Sequence, residues 1–308
     1  MPDPKKVVIY HAPCSDGFAA AWAAWVHLGD KAEYVPGIHA KGKEDEAYWL
    51  ELVKDKDVLV FDFSFPRKLT EKLYEAAASF RVIDHHISAK KELDGLDYCE
   101  ISLDNSGAVL AWKHFATPDT PLVPELLKYV QDQDLWEYAL PGSHAANSYI
   151  NAQPFDFQVW TEMDKTFSEE YTLKRAIRIG KAMLDKQQAL VDEIAQHAEI
   201  WDIEGACVLA VNCPSVLRAF VCDTLGQMGK YPFVAAYEIN DGKVTWSLRS
   251  NWGTAKVNEV AALFTGGGHA VAAGFTIPVS QVNFRTRTLK KRNKFWQWFR
   301  KKAGLDAE

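Results

Sequence analysis

The sequence predicts an α/β chain: an N-terminal, mainly parallel-sheet domain joined by a helical connector to a smaller α+β domain. Three observations carry that expectation. Short apolar runs rich in Val, Ile, Phe and Tyr alternate with helix-like stretches early in the chain, the pattern of βαβ units around a parallel sheet. A long proline-free segment with helical periodicity follows, and beyond it come strand-like runs joined by a short turn. The 308 residues suit two domains, at roughly 100–200 residues each. The expected divisions are 1–165, a connector at 166–200, 201–282, and a basic aromatic tail at 283–308.

Residues 6–11, 32–36, 58–63 and 81–84 read as the first four strands. Between them, 17–28 is rich in Ala and Trp with Ser15 placed as an N-cap, and 66–77 opens on proline and sets Leu69, Leu73 and Ala77 on one face. Residues 107–115 and 124–130 read as helices. The connector, about 168–196, keeps Leu173, Ile177, Met183, Leu190 and Ile194 at roughly helical spacing. Strands are expected at 206–211, 231–239 and 243–248, with Asn240-Asp241-Gly242 as a hairpin turn. A helix at 257–264 runs into Gly266-Gly267-Gly268. No internal repeat is found.

Composition narrows the class. With 48% apolar, 25% charged and 12% aromatic residues, the chain can bury cores and is not a disordered or collagen-like one. Its longest apolar run, residues 18–26, is about half the length of a membrane span. The N-terminus has no signal-peptide pattern, so a cytoplasmic protein without a membrane partner is expected. Five cysteines with no Cys-x-x-Cys argue against a disulfide framework or a zinc ribbon and for reduced thiols. Net charge is −6, but Arg285 to Lys302 holds nine positive charges and no acid, leaving 26 basic against 41 acidic residues elsewhere. An acidic body with a basic end suggests cations in the body and a polyanion near the tail.

Five constellations carry chemistry. His11 and Asp16, the latter followed by Gly17, sit at a strand-to-helix turn; imidazole and carboxylate are common ligands of divalent ions, and the glycine permits a tight turn. Asp62 closes an apolar strand among aromatics, where an acid is costly unless paired or metal-bound, or else caps the helix after Pro66. Asp84-His85-His86 brings three ligand or proton-transfer groups to one strand end. Asp132 and Asp134 fall at a helix end, where acids are poorly placed for the dipole. Thr265-Gly266-Gly267-Gly268-His269 can expose backbone N–H groups as an anion nest with a histidine alongside; without Gly-Lys-Ser/Thr it is no nucleotide P-loop. Asp16, Asp62 and Asp84 each follow or close a strand, at the sheet edge where open α/β folds bind ligands.

In this order and combination the motifs resemble the DHH/DHHA1 phosphoesterase family, over about residues 7–275. Asp84-His85-His86 matches the triplet and Gly266-Gly267-Gly268-His269 the glycine signature of its second domain. The resemblance implies two manganese ions per chain, with Mg2+ or Co2+ as substitutes. His11, Asp16, Asp62, His85 and Asp132 would be the ligands, with Asp62 bridging. Asp84 would orient His85, and His86 would face the scissile phosphate; Asp62, Asp84 and His86 are the expected catalytic residues. Gly266, Gly267, Gly268, His269 and Arg249 would hold a substrate phosphate. Such a pair, about 3.5–4 Å apart, would activate water and offset charge on the phosphoryl oxygens.

Two points of the carry-over stay open. Cys14 and Ser15 stand where acids are usual in the first motif, so either Cys14 is a ligand, water fills the gap, or one metal is held weakly. Between Asp132 and Asp134, the spacing to the aromatic four residues on favours Asp132. The implied activity is a manganese-dependent phosphodiesterase or exonuclease that takes short single-stranded oligonucleotides or linear dinucleotides to mononucleotides. An exopolyphosphatase or nucleoside-bisphosphate phosphomonoesterase is the second reading, and an inactive nucleotide-binding module the third. Oligomeric state is open, a homodimer included. The tail interleaves its charge with Phe295, Trp296, Trp298 and Phe299, which suits either single-strand binding or an amphipathic helix docked by its aromatics.

Overall fold

The computed structural model describes residues 6–38, 46–118, 122–229, 231–250 and 255–289. The chain divides into two compact units, Met1–Leu184 and Asp185–Glu308.

In the first unit strands and helices alternate: β1 (Lys6–His11), α1 (Ser15–Leu28), β2 (Ala32–Gly37), α2 (Glu46–Val53), β3 (Asp57–Phe61), α3 (Arg67–Ala76), β4 (Ser79–Asp84), α4 (Ile87–Glu92) and β5 (Cys99–Ile101). The strands form one sheet in the order β2-β1-β3-β4-β5, and every pairing is parallel. The expected mainly parallel sheet is therefore wholly parallel. Its strands are apolar on both faces because both are covered. Val7 and Ile9 pack with Trp49, Phe63, Phe65 and Leu73, whereas Val8 packs on the opposite side with Phe18, Trp22 and Trp112. That second layer is built by α1 with α5 (Gly107–His114), α6 (Glu125–Asp134), α7 (Ser143–Asn151), α8 (Phe157–Ser168) and the beginning of α9 (Glu170–Gln196). Alanines on both α1 and α5 (Ala19, Ala20, Ala23, Ala108, Ala111) are fully buried, so the two helices approach closely.

The expected connector helix at 168–196 is α9, and the chain passes from one unit to the next within it. The second unit continues with β6 (Glu199–Ile203), β7 (Ala206–Asn212), α10 (Arg218–Gly226), β8 (Phe233–Asn240), β9 (Lys243–Ser250), α11 (Val257–Leu263), β10 (Gly267–His269), β11 (Ala272–Pro278) and β12 (Thr288–Leu289). They form a seven-stranded mixed sheet, β10-β11-β9-β8-β7-β6-β12, parallel only at β7–β8 and β6–β12. Trp201, Phe233, Trp246 and Phe275 fill its core. The Asn240-Asp241-Gly242 turn joins β8 to β9 as expected.

Two expectations shift. The beginning of the basic tail is not free of the fold: β12 pairs with β6, and Arg287 bonds the Glu199 carboxylate through Nε at 2.6 Å. The rest of the tail, including Phe295, Trp296, Trp298 and Phe299, lies outside the described residues. The glycine run is an edge strand and not an open loop. Gly266 donates its N–H to the Ala261 carbonyl at 2.9 Å, so that group is not turned toward a ligand. A Cβ there would stand 2.2 Å from the Gly274 carbonyl oxygen, so close backbone approach explains this glycine. Among the described residues no helix is long and apolar enough to cross a membrane.

Candidate metal centre

A parallel sheet delivers all its C-terminal strand ends to one edge. Because β1 lies between β2 and β3, the chain order reverses there, and ligands of open α/β sheets bind at that edge. His11 ends β1, Asp62 follows β3 directly and Asp84 ends β4, three neighbouring strands. Tyr10 pairs with Phe61 and Phe61 with Ile83, which brings His11, Asp62 and Asp84 level.

Asp62 is 1% exposed and takes a left-handed backbone, φ 53°, a conformation costly for most non-glycine residues and concentrated at functional sites. Its N–H donates to the Ile83 carbonyl at 3.1 Å, which holds the turn. Its two oxygens then face different ways. Oδ1 lies 3.1 Å from His85 Nε2 and Oδ2 lies 3.5 Å from His11 Nδ1.

Asp16, in the first turn of α1, reaches the start of α5. It accepts the Gly107 N–H at 2.7 Å and the Ala108 N–H at 3.1 Å, and its Oδ2 is 3.8 Å from His85 Nε2. Only glycine fits at 107, since a Cβ there would meet the Asp62 Cβ at 2.4 Å. The Ser106-Gly107 helix start was the sequence signal for this docking, and sequence reasoning passed over it.

The structure separates the two acids of α6. Asp134 Oδ2 comes within 3.3 Å of His85 Nε2. Asp132, the residue favoured by spacing, instead accepts the N–H groups of Ala139 at 2.8 Å and Leu140 at 3.2 Å, so it ties down the loop after α6. The expected partner of Asp84 also changes. Its Oδ1 accepts the His86 ring N–H at 2.7 Å and the backbone N–H groups of His85 and His86, while Ser64 donates to Oδ2 at 2.5 Å. Asp84 therefore orients His86, because His85 is turned the other way, toward Asp62, Asp16 and Asp134. Ser64 was not singled out by the sequence.

Donor atoms of His11, Cys14 and Asp62 lie within 4.8 Å of one another, as do those of Asp16, His85 and Asp134, and those of Asp62, Asp84, His85 and His86. The electrostatics record the crowding. Burial, and then the charges of Asp62 and Asp134, push the Asp16 carboxyl well above its ordinary value. Burial likewise raises Asp134. Burial pulls His85 down, but the carboxylates of Asp62, Asp16 and Asp134 outweigh it and carry the imidazole up to about 9. The Asp62 carboxylate, with Cys14 next, carries His11 up to about 10. Burial pushes Asp84 up, yet its bonds from His86 and Ser64 leave it below its ordinary value.

Asp62 Oδ1, Asp134 Oδ2 and His85 Nε2 are buried and converge, but none is aligned in a hydrogen bond. Buried carboxylate oxygens that repel one another, gathered around one imidazole nitrogen, are the donor set of a hard or borderline divalent ion. The residues fit a metal centre.

In the second unit, His269 pairs with Ala272 and Ala272 with Arg249. Directly paired residues share a sheet face, so the imidazole and guanidinium lie in one row, roughly two strand spacings or 10 Å apart. Arg249, Ser250, Val271 and Ala272 also line an open cavity of about 340 Å³, together with Cys222 and Gln227 of this unit. Gly267 and Gly268 lie on the edge strand beside that row.

Residues 207–294 match the DHHA1 domain. The chain is 30% identical over 291 residues to an uncharacterized protein, R106, of Acanthamoeba polyphaga mimivirus, covering 88% of this chain and 67% of that protein. The protein belongs to the DHH/DHHA1 phosphoesterase family. Two solved structures share this family member's fold. A pGpG-specific phosphodiesterase, PggH, of Vibrio cholerae is 12% identical, with 90% of this chain and 94% of that one covered at a TM-score of 0.52. An exonuclease RecJ bound to manganese is 14% identical, covering 97% and 89% at 0.50.

Proposed function

We propose that the protein is a divalent-metal-dependent phosphodiesterase, with manganese as the working ion, that takes short oligonucleotides or linear dinucleotides to mononucleotides. The observation that carries this reading is Asp62, whose two oxygens address His11 on one side and His85 on the other. That is the arrangement a bridging carboxylate needs. Asp16, His85 and Asp134 would complete one side, His11 the other. Bound there, divalent ions supply Lewis-acid polarisation of a phosphate and a water acidified toward neutral pH.

The chain's own residues do the rest. His86 donates its Nδ1 proton to Asp84, and that carboxylate, its largest influence, raises the imidazole above its ordinary value. The ring therefore tends to keep a proton on Nε2, where it can hydrogen-bond a phosphate oxygen or a departing alkoxide. Arg249 offers two parallel donors to an anionic group, with His269 in the same row. The fold shared with PggH and RecJ, both named for phosphodiester cleavage, supports a nucleotide substrate.

The test is manganese-dependent turnover of a labelled panel running from dinucleotides to longer oligomers, with polyphosphate and a nucleoside bisphosphate in competition. Asp62→Ala and His85→Ala should abolish hydrolysis while circular dichroism stays that of the wild type. Arg249→Ala should mainly raise KM. Turnover retained in either of the first two variants overturns the assignment.

A further inference from the structure

Resting on the metal-centre reading above, we propose that the Cys14 thiolate is itself a ligand of the His11 side. That side would then have a nitrogen, sulfur and oxygen donor set favouring Zn2+, Fe2+ or Co2+ over Mn2+ there.

Four observations meet on this residue. Cys14 is half-buried, and its sulfur lies within 4.8 Å of donor atoms of both His11 and Asp62. It occupies the N-cap position of α1 with extended backbone, φ −146° and ψ 137°, yet its side chain makes no cap bond, so the helix does not consume the thiol. Asp62 beside it is 1% exposed, and its Oδ2 turns to this side, 3.5 Å from His11 Nδ1, a buried carboxylate oxygen that a cation on this side would neutralise. Finally, Asp16 does not serve this side. Its carboxylate is held by the Gly107 and Ala108 N–H groups and faces His85, and it belongs to the other donor group.

Among the described residues, without Cys14 the His11 side has one imidazole and a share of one carboxylate, too little negative charge and too few donors to hold a divalent ion firmly. The thiolate supplies the missing anion, its proton leaving to solvent as the metal–sulfur bond forms. Sulfur is a soft donor, and mixed sulfur–nitrogen sets prefer zinc, iron and cobalt, whereas all-oxygen sets suit manganese and magnesium. The sulfur thus makes the two halves of one centre chemically unequal.

The test uses the full chain stripped of metal and titrated with Co2+ under anaerobic conditions. Wild type should show a thiolate-to-cobalt charge-transfer band in the near ultraviolet beside the visible d–d bands. Cys14→Ser should keep d–d bands and lose the charge-transfer band. It should also fold, since serine is a good N-cap residue. Cys14→Asp restores an anion and should lower the preference for Co2+ over Mn2+ about tenfold or more, at least the loss that even outer-shell changes cause.

Cobalt bound with d–d bands but no charge-transfer band in the wild type overturns the assignment and leaves the metal centre standing. A charge-transfer band persisting in Cys14→Ser, or an unchanged metal preference in Cys14→Asp, overturns it as well. No cobalt binding at all overturns the centre itself and the cysteine's role with it.

Discussion

Asp132 and Asp134 lie one helical half-turn apart on α6, and the structure gives them opposite jobs that two substitutions can tell apart. Asp132 is 3% exposed; its carboxylate accepts the Ala139 and Leu140 N–H groups, and its carbonyl accepts those of Glu137 and Tyr138. Asp132→Ala strands two donors at about 1–3 kcal/mol each. Ala139 is exposed, so water recovers part of that, and about 2–3 kcal/mol is the expected net loss. For a unit of this size that is a melting point lower by about 4–12 °C. Asp134→Asn should do the reverse. Its buried Oδ2 has no hydrogen-bond partner, and burial already holds the acid above its ordinary value. A neutral isostere therefore costs the metal-free protein nothing, while metal affinity drops about tenfold or more. Thermal unfolding in chelator and isothermal titration with Mn2+ read the two effects separately. Should Asp132→Ala melt with the wild type and lose metal while Asp134→Asn binds normally, the assignment from geometry is wrong and the one from spacing is right.

Two further outcomes are expected. Gly107→Ala would set a methyl 2.4 Å from the Asp62 Cβ and 2.8 Å from its Cγ, so α5 or Asp62 must shift, at about 1–3 kcal/mol of overpacking. Stability and Mn2+ affinity should fall together in denaturation and titration, and a variant normal in both refutes the close approach. Burial pushes the Cys222 thiol up to about 12, and only thiolate reacts, so at pH 8 roughly one molecule in ten thousand is reactive. Iodoacetamide at that pH should label the exposed Cys207 and spare Cys222, whose rate should climb as pH rises toward its pKa or when the chain is unfolded. Mass mapping that finds both equally labelled in the folded state refutes its burial.

The strands and the long helix were legible because their signals are local. Val7, Val8 and Ile9, and likewise Val58, Val60 and Phe61, are apolar in unbroken runs because both faces of the sheet are covered, and an α9 of 27 residues repeats its periodicity many times. The short elements were not legible. β5 has three residues and β12 two, too few to show a period, and each exists only because a neighbouring strand end accepts it. The residue types of the centre were legible too, since acids and histidines at strand ends are conspicuous. Their pairings were not. Whether Asp84 serves His85 or His86 depends on which way two adjacent imidazoles turn after a strand, and only the finished loop fixes that. Gly266 was ambiguous for a related reason. Glycines that make room for a neighbouring backbone and glycines that cradle an anion are the same letters, and Gly266 is of the first kind.

The acids of this cluster are buried at a cost that the fold meets unevenly. Asp62, Asp16 and Asp84 are each 1% exposed, and a lone ionised carboxylate in such a place would take up a proton instead. Two of the three are satisfied by the fold itself: Asp16 by the N-terminal amides of α5, Asp84 by Ser64, His86 and two backbone N–H groups. Asp62 is the exception. The backbone around it is strained, its N–H is committed to Ile83, and one carboxylate oxygen has no hydrogen bond. Asp134 shares that openness through its Oδ2, and two buried carboxylate oxygens left without hydrogen bonds beside two satisfied acids are what a cation site requires. At φ 53° Asp62 leaves the extended backbone of β3, and its Oδ1 stands 3.1 Å from His85 Nε2. The residue whose backbone leaves the strand is thus the one whose two oxygens divide between His11 and His85, so the turn after β3 and the candidate metal centre are one feature.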